Sequence, residues 1–307
     1  MKRSIFVACL LAAGLQAGAD YNLQKVGDRV WAAISTDTGK SDGNAGFVIG
    51  DDGILVVDTF EDPGCARDLL ADIRKISNLP IKFVVNTHYH YDHVSGNNVF
   101  ADAGAVIVAH RNVRAWVRTE NLKFFGPKIT AEQKARVESI ALPTVVHDGA
   151  VDLYLGSRRI TVRYYPGHTG GDSVVSIPDA HVVFCGDLLW KEHIPNFIDA
   201  NTTAWLKTLD ALPNDYGANT WVPGHGGPAN AEDIVTFRTY IVDVRTALAK
   251  LNGGDDPVKN VLPGIRAKYG KWGYFDELAG PGIQETFEEL AGTKKVPVPV
   301  ATGGATR

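Results

Sequence analysis

Cysteine is nearly absent from this chain, with three in 307 residues: Cys9, Cys65 and Cys185. Positive charge is not in excess either. Against 31 Lys and Arg stand 35 Asp and Glu, a formal net charge of -4, so the basic footprint of a nucleic-acid binder is missing. The apolar run Ile5 to Leu15 is too short to span a bilayer as a helix. The glycine-rich pieces Gly167-His168-Thr169-Gly170-Gly171 and Gly224-His225-Gly226-Gly227 lack the lysine and the spacing of a phosphate-binding loop. No internal linker separates domains, and no short-period repeat is visible.

What is present at the N-terminus reads as targeting. Lys2 and Arg3 precede the apolar run, and Ala17-Gly18-Ala19 fits a small-x-small cleavage site. A signal peptide over 1–19 is expected, with export across a bacterial inner membrane to give a periplasmic or secreted protein with no membrane attachment after cleavage. The two cysteines left could pair in an oxidising compartment. Cys65, however, opens a helix and Cys185 ends a strand, so two unpaired, buried thiols are expected. One domain is expected over 20–295, including a helical C-terminal segment. The Pro- and Gly-containing stretch 296–307 reads as a loose tail.

The densest chemical signal is Asn86-Thr87-His88-Tyr89-His90-Tyr91-Asp92-His93. Ile81 to Val85 before it is β-branched and aromatic and reads as a buried strand. In extended chain, residues two apart point the same way, so His88 and His90 can aim at one point, and after a turn Asp92 and His93 at a second. Imidazole and carboxylate suit zinc, iron and similar divalent ions. Four potential ligands in six positions is too dense for a surface accident. Three further candidates each follow or end a strand beside a glycine: His168, Asp187 and His225. The seven together suffice for two ions.

The remaining pattern is strands and helices in two similar halves. Hairpins are expected over Asn22–Ser35 turning at Gly27-Asp28, over Gly46–Asp58 around Asp51-Asp52-Gly53, over Val151–Tyr164 around Gly156-Ser157, and over Val174–Cys185 at Pro178-Asp179. Helices are expected from Pro63 to Ile76, Asn112 to Leu122, Thr130 to Ile140 with a capping box to Gln133, Thr203 to Leu212, Asp233 to Leu251 and Pro257 to Tyr269. Asn121 to Pro127 reads as an aromatic loop. Two sheets packed face to face with helices outside account for this α/β pattern.

With these motifs the sequence resembles the metallo-β-lactamase superfamily over about Val26 to His225. The resemblance implies a four-layer αββα sandwich with the metal site at the sheet edge. It implies that His88, His90 and His168 hold one metal, that Asp92, His93 and His225 hold a second, and that Asp187 bridges them. Asp58, closing Leu55-Val56-Val57-Asp58, matches the outer carboxylate that orients the metal loop. The expected cofactors are two Zn²⁺, with iron as the alternative. The expected reaction is attack by a metal-bridging hydroxide on the carbonyl of a small-molecule cyclic amide (β-lactam), lactone or ester. Asp92, or the hydroxide itself, handles the leaving-group proton.

Many β-lactamases carry Arg after the motif's Asp and Cys at the later metal position, whereas this chain has His93 and Asp187. The full set looks more like glyoxalase II, lactonases and general hydrolases. A glyoxalase II-like thioester hydrolase and a mononuclear iron oxidoreductase resembling persulfide dioxygenases are the alternatives. For substrate contacts, Lys191 is the candidate for a carboxylate, Trp31, Phe124, Phe125 and Trp190 for pocket walls, Asn98 and Asn196 for oxyanion donors, and His193 for a nearby histidine.

Overall fold

The structure is a computed structural model that describes residues 20–36 and 38–301; the expected signal peptide lies outside them. Antiparallel strands β1 (Tyr21–Gly27), β2 (Val30–Ser35), β3 (Ala45–Ile49) and β4 (Ile54–Val57) run in order. Helix α1 (Pro63–Ile76) leads to β5 (Ile81–Val85), parallel to β4. Short helices α2 (Tyr91–Val94) and α3 (Asn97–Asp102) precede β6 (Val106–His110). After α4 (Arg111–Trp116), a 3₁₀ turn (Glu120–Phe125) and α5 (Ala131–Glu138), β7 (Val145–His147) completes a seven-stranded sheet in sequence order.

The second sheet is an antiparallel meander of β8 (Ala150–Leu155), β9 (Arg158–Tyr164), β10 (Ser173–Ile177) and β11 (Val182–Trp190). Helix α6 (Thr202–Tyr216) crosses over to β12 (Thr220–His225), parallel to β11. Helices α7 (Ala231–Leu248), α8 (Pro257–Tyr269) and α9 (Phe275–Ala291) follow.

The period-two alternation of the strands makes the layers. On β4, Leu55 and Val57 enter the core between the sheets, while Ile54 and Val56 face Cys65, Leu69 and Ile73 of α1 and Phe100 of α3. On β11, Val182 and Phe184 enter the same inter-sheet core, and Val183 and Cys185 face Trp205, Leu209, Phe237 and Ile241 of α6 and α7. Each such side chain contributes roughly 1.5–3 kcal/mol by leaving water. The four-layer expectation therefore holds, with helices covering both outer sheet faces. Both thiols are buried and unpaired.

Caps begin the helices as their sequence suggests. Asp62 accepts from Gly64 N ahead of Pro63, and Thr130 and Gln133 form the expected capping box. Other boundaries move. The helix expected over Asn112–Leu122 breaks after Trp116, and the aromatic stretch is mostly the 3₁₀ turn Glu120–Phe125. Asn121 closes that break by donating to Val117 O and Tyr89 O. The tail expected to be loose is tethered before residue 302: Trp116 Nε1 donates to Val298 O, and Val300 N donates to Asn112 Oδ1 at 2.9 Å. Among the described residues no helix is long and apolar enough to cross a membrane.

Candidate metal centre

The motif loop leaves the end of β5, and its histidines are aimed by groups behind them. Asp58, just past β4, sits in the left-handed region (φ 56°), a conformation Asp tolerates better than most residues. Its carboxylate accepts from Thr87 N (2.7 Å) and Thr87 Oγ1 (2.6 Å) and lies 2.9 Å from His93 Nδ1. Thr87 Oγ1 in turn lies 3.1 Å from His88 Nδ1. His88 and His93 are thereby anchored through Nδ1, and the Nε2 of each is buried with no hydrogen-bond partner. His90 is turned the other way. Its Nε2 lies 3.1 Å from Asp199 Oδ2, leaving Nδ1 2.9 Å from His168 Nε2.

The second sheet supplies the other three residues. His168 sits on the loop between β9 and β10, where Asp172 clasps Thr169 through its backbone N–H and hydroxyl. Asp187 lies within β11, which runs on to Trp190 rather than stopping at Cys185. Gly186 has φ 50°, and the register with β12 shifts there. The pleat therefore breaks between Cys185 and Asp187, so Cys185 stays in the helix-side core while Asp187 turns to the histidines. Gly224 permits that approach, because a Cβ there would stand 1.8 Å from Asp187 Oδ1. His225 ends β12, its ring stacked on Trp190 at 3.8 Å.

The seven side chains fall into two groups with Asp187 in both: His88, His90, His168 and Asp187, and Asp92, His93, Asp187 and His225. Within each group one ligand atom per residue lies within 4.8 Å of the others. Asp187 Oδ2 is 3.1 Å from His168 Nε2, and its Oδ1 is 3.1 Å from His93 Nε2. Asp92 Oδ2 is 3.0 Å from His93 Nε2 and 3.1 Å from His225 Nε2. His88 Nε2, His93 Nε2, His225 Nε2 and Asp187 Oδ1 are buried and partnerless. Buried polar atoms are normally satisfied, and a divalent cation satisfies this donor set.

The electrostatics of the metal-free cluster divide the same way. Burial and the neighbouring His93 press His88 well below the usual imidazole range. Burial also disfavours the charged form of His93, but the carboxylates of Asp92, Asp187 and Asp58 outweigh it and raise the pKa well above normal. The same contest pushes His225 up to about 10, with Asp187 and Asp92 prevailing. Asp187 is held well below the carboxylate range because four histidines overcome its burial.

A cleft of about 270 Å³ opens onto the cluster, with His90, Asp92, Asp187 and His225 in its lining. Phe124, Phe125, Trp190 and Asn196 line it as well. Lys191 does not. Trp190 takes the cleft side over His225, so the next residue along the chain points to the opposite face. Lys191 Nζ pairs there with Asp233 at 3.0 Å and donates to Pro228 O, which overturns its expected substrate contact. Trp31 stacks on Phe47 outside the first sheet, Asn98 is occupied by Ser139 O and Ala141 N, and His193 sits against Lys191 O. Asp199 is the site residue that sequence patterns miss. Its carboxylate is held by Lys123 Nζ (2.6 and 2.7 Å) and the Tyr89 hydroxyl as well as His90.

A family model described as the metallo-beta-lactamase superfamily matches residues 38–225, more than half the chain. Among curated proteins, the chain is 26% identical over 220 residues to a linear primary-alkylsulfatase of Pseudomonas sp., covering 60% of this chain and 41% of that protein. It is 34% identical over 130 residues to a hydroxyacylglutathione hydrolase of Serratia proteamaculans, covering 42% of this chain and 41% of that protein. The chain thus spans about two-fifths of the length of these two relatives. Among solved structures, a metallo-beta-lactamase from Pontibacter korlensis superposes with a TM-score of 0.61 at 21% identity, covering 72% of this chain and 99% of that one; this likeness concerns the fold. With the matched segment reaching from the first loop to His225, the chain belongs to the metallo-β-lactamase superfamily.

Proposed function

We propose that this protein is an exported dinuclear zinc hydrolase acting on the carbonyl of a small lactone, ester or cyclic amide. One observation carries the reading: two groups of ligand atoms share Asp187, and several of those atoms are buried and partnerless. His88 Nε2, His90 Nδ1, His168 and Asp187 would hold one ion, and Asp92, His93 Nε2, His225 and Asp187 the other. Ions bound there would supply a water acidified towards neutrality and a Lewis acid for the carbonyl.

The chain's own residues do the remaining work. Asp58 and Asp199 fix the ring orientations of His93 and His90, as outer carboxylates do at metal sites. Trp190 and Phe124 wall the cleft and exclude water from one side. Asp92 is the ligand carboxylate with an exposed edge, 18% of its side chain, and it also lines the cleft. It is placed to hold a proton destined for the leaving group.

The similarity to hydroxyacylglutathione hydrolases supports a second reading, thioester hydrolysis. The test is metal analysis of the mature protein together with rates on a chromogenic cephalosporin, an aryl lactone and a thioester. Two equivalents of zinc and lactone kcat/KM at or above roughly 10⁴ M⁻¹s⁻¹, the low end of ordinary enzymes, support the proposal. Faster thioester cleavage moves it to the second reading. One equivalent of iron with no hydrolysis overturns both and points to oxidoreductase chemistry.

A further inference from the structure

The cleft carries an uneven set of charges that the ligand groups do not account for. Besides Asp92 and Asp187, its lining includes Asp42 and Glu61, both half-buried, and the exposed Glu277. No lysine or arginine is among the described residues that line it. Of the cations nearby, Lys123 pairs with Asp199 and Lys191 with Asp233, and Arg136, beside Glu132, offsets Glu61 only in part. Two divalent ions would exceed the charges of Asp92 and Asp187 at the floor of the cleft, so the acidic character belongs to the wall further out, at Asp42, Glu61 and Glu277. Burial first, and then the carboxylates of Asp42, Asp92 and Asp62, push Glu61 up to about 7 against the opposing charge of Arg136.

The other walls are aromatic: Tyr91, Phe124, Phe125, Trp190 and Tyr274. Tyr274 donates its hydroxyl to Asp42 at 2.6 Å, which locks one carboxylate beside one ring. The Tyr91 hydroxyl is buried without a partner, on a residue only 7% exposed. Ring faces and carboxylates side by side are the chemistry that holds an alkylated ammonium. An anion entering the same space would lose hydration and meet like charge.

We propose that the cleft selects ester or lactone substrates carrying a cationic group, preferring ammonium-bearing over neutral and neutral over anionic. The proposal rests on the hydrolase reading and narrows its substrate class. It disfavours carboxylate-bearing β-lactams and acidic thioesters, for whose outlying carboxylates the described cleft lining offers no lysine or arginine.

The test compares three 4-nitrophenyl esters of similar length on the zinc-loaded protein at pH 8 and low salt: the valerate, its ω-trimethylammonium analogue and the glutarate half-ester. The expected kcat/KM for the cation exceeds that for the anion by at least about thirtyfold, and the ratio shrinks at high salt as screening grows. Glu61→Gln combined with Glu277→Gln is expected to narrow the ratio severalfold. An anionic ester cut as fast as the cationic one, or a ratio indifferent to both salt and the double variant, overturns the proposal. If none of the esters is cleaved, the ester form of the hydrolase reading fails and the charge assignment is read by calorimetry instead. Benzyltrimethylammonium binding at least tenfold tighter than benzenesulfonate sustains it, and equal or reversed affinity overturns it.

Discussion

The two ligand groups use the same residue types in different proportions. The first has three imidazoles and the shared Asp187, and the second has two imidazoles, Asp92 and the same Asp187. In the metal-free protein that difference decides where protons reside. Burial keeps His88 neutral in the first group, whereas the carboxylates of the second overcome burial and keep His93 and His225 protonated. The second group therefore holds protons among its carboxylates, whereas His88 in the first stays neutral. Ion uptake is then expected to meet little competition from protons at His88 and to displace protons from His93 and His225.

The strongest way to break the comparison is to remove what the groups share. Asp187→Ala is expected to empty both and to lower kcat by about 10³-fold or more, equivalent to roughly 4 kcal/mol of barrier. His168→Ala and His225→Ala should each lower occupancy in one group first. Metal analysis of the three purified variants checks the difference. If Asp187→Ala kept two equivalents, the shared carboxylate would not join the groups.

Proton release sharpens it next. A group with a raised pKa holds its proton below that pKa and gives it up when a cation arrives or when pH rises. With His225 near 10 and His93 also raised, ion uptake by the second group near pH 7 should expel at least one proton. The first group, with His88 already neutral, should expel almost none. The affinity of the second site should then climb by about tenfold per pH unit through neutrality, as one-proton linkage requires. The affinity of the first site should stay nearly flat. Titration calorimetry in buffers of different ionisation enthalpy reads both, and equal release at the two sites would contradict the contrast.

Asp58 backs His93 directly and His88 through Thr87, whereas Asp199 backs His90, and the two carboxylates were unequally visible in the sequence. Asp58 closes a four-residue apolar strand, and its role was legible only through the family motif that it matches. Asp199 was not, because it lies in an irregular stretch and reaches His90 across 109 residues, a contact no local periodicity encodes. His88, His90, His168 and His225 were readable because they follow or end strands, whereas Asp92 and His93 ride on α2 and Asp187 owes its direction to the broken pleat at Gly186. Strand alternation likewise sorted Leu55 from Val56 and Phe184 from Cys185. Lys191 misled because its direction depends on β11 continuing to Trp190, and the break after Trp116 depends on Asn121 reaching back to Val117 and Tyr89. Asp58→Asn should weaken the second group directly and the first through Thr87, and Asp199→Asn the first alone, each by about 10–100-fold in metal affinity. Competition with a chromogenic chelator measures both.

The smallest effect expected lies one residue further out. Asp199 stays ionised because His90 and Lys123 outweigh its burial, holding its carboxyl well below the usual range. Lys123 is partly exposed, with 26% of its side chain accessible, so solvent screens its share. Lys123→Met removes the cation and keeps the length of the stem. At neutral pH, activity should fall within about fivefold, the scale of a partly exposed ion pair. The consequence appears in acid. With Lys123 gone the Asp199 pKa rises, so as pH falls its carboxylate takes a proton sooner and releases His90 sooner. The acid limb of the first-site metal occupancy should move to higher pH in Lys123→Met, while that of the second site stays where it is. If both limbs moved together, Lys123 would be stabilising the whole centre rather than the orientation of His90.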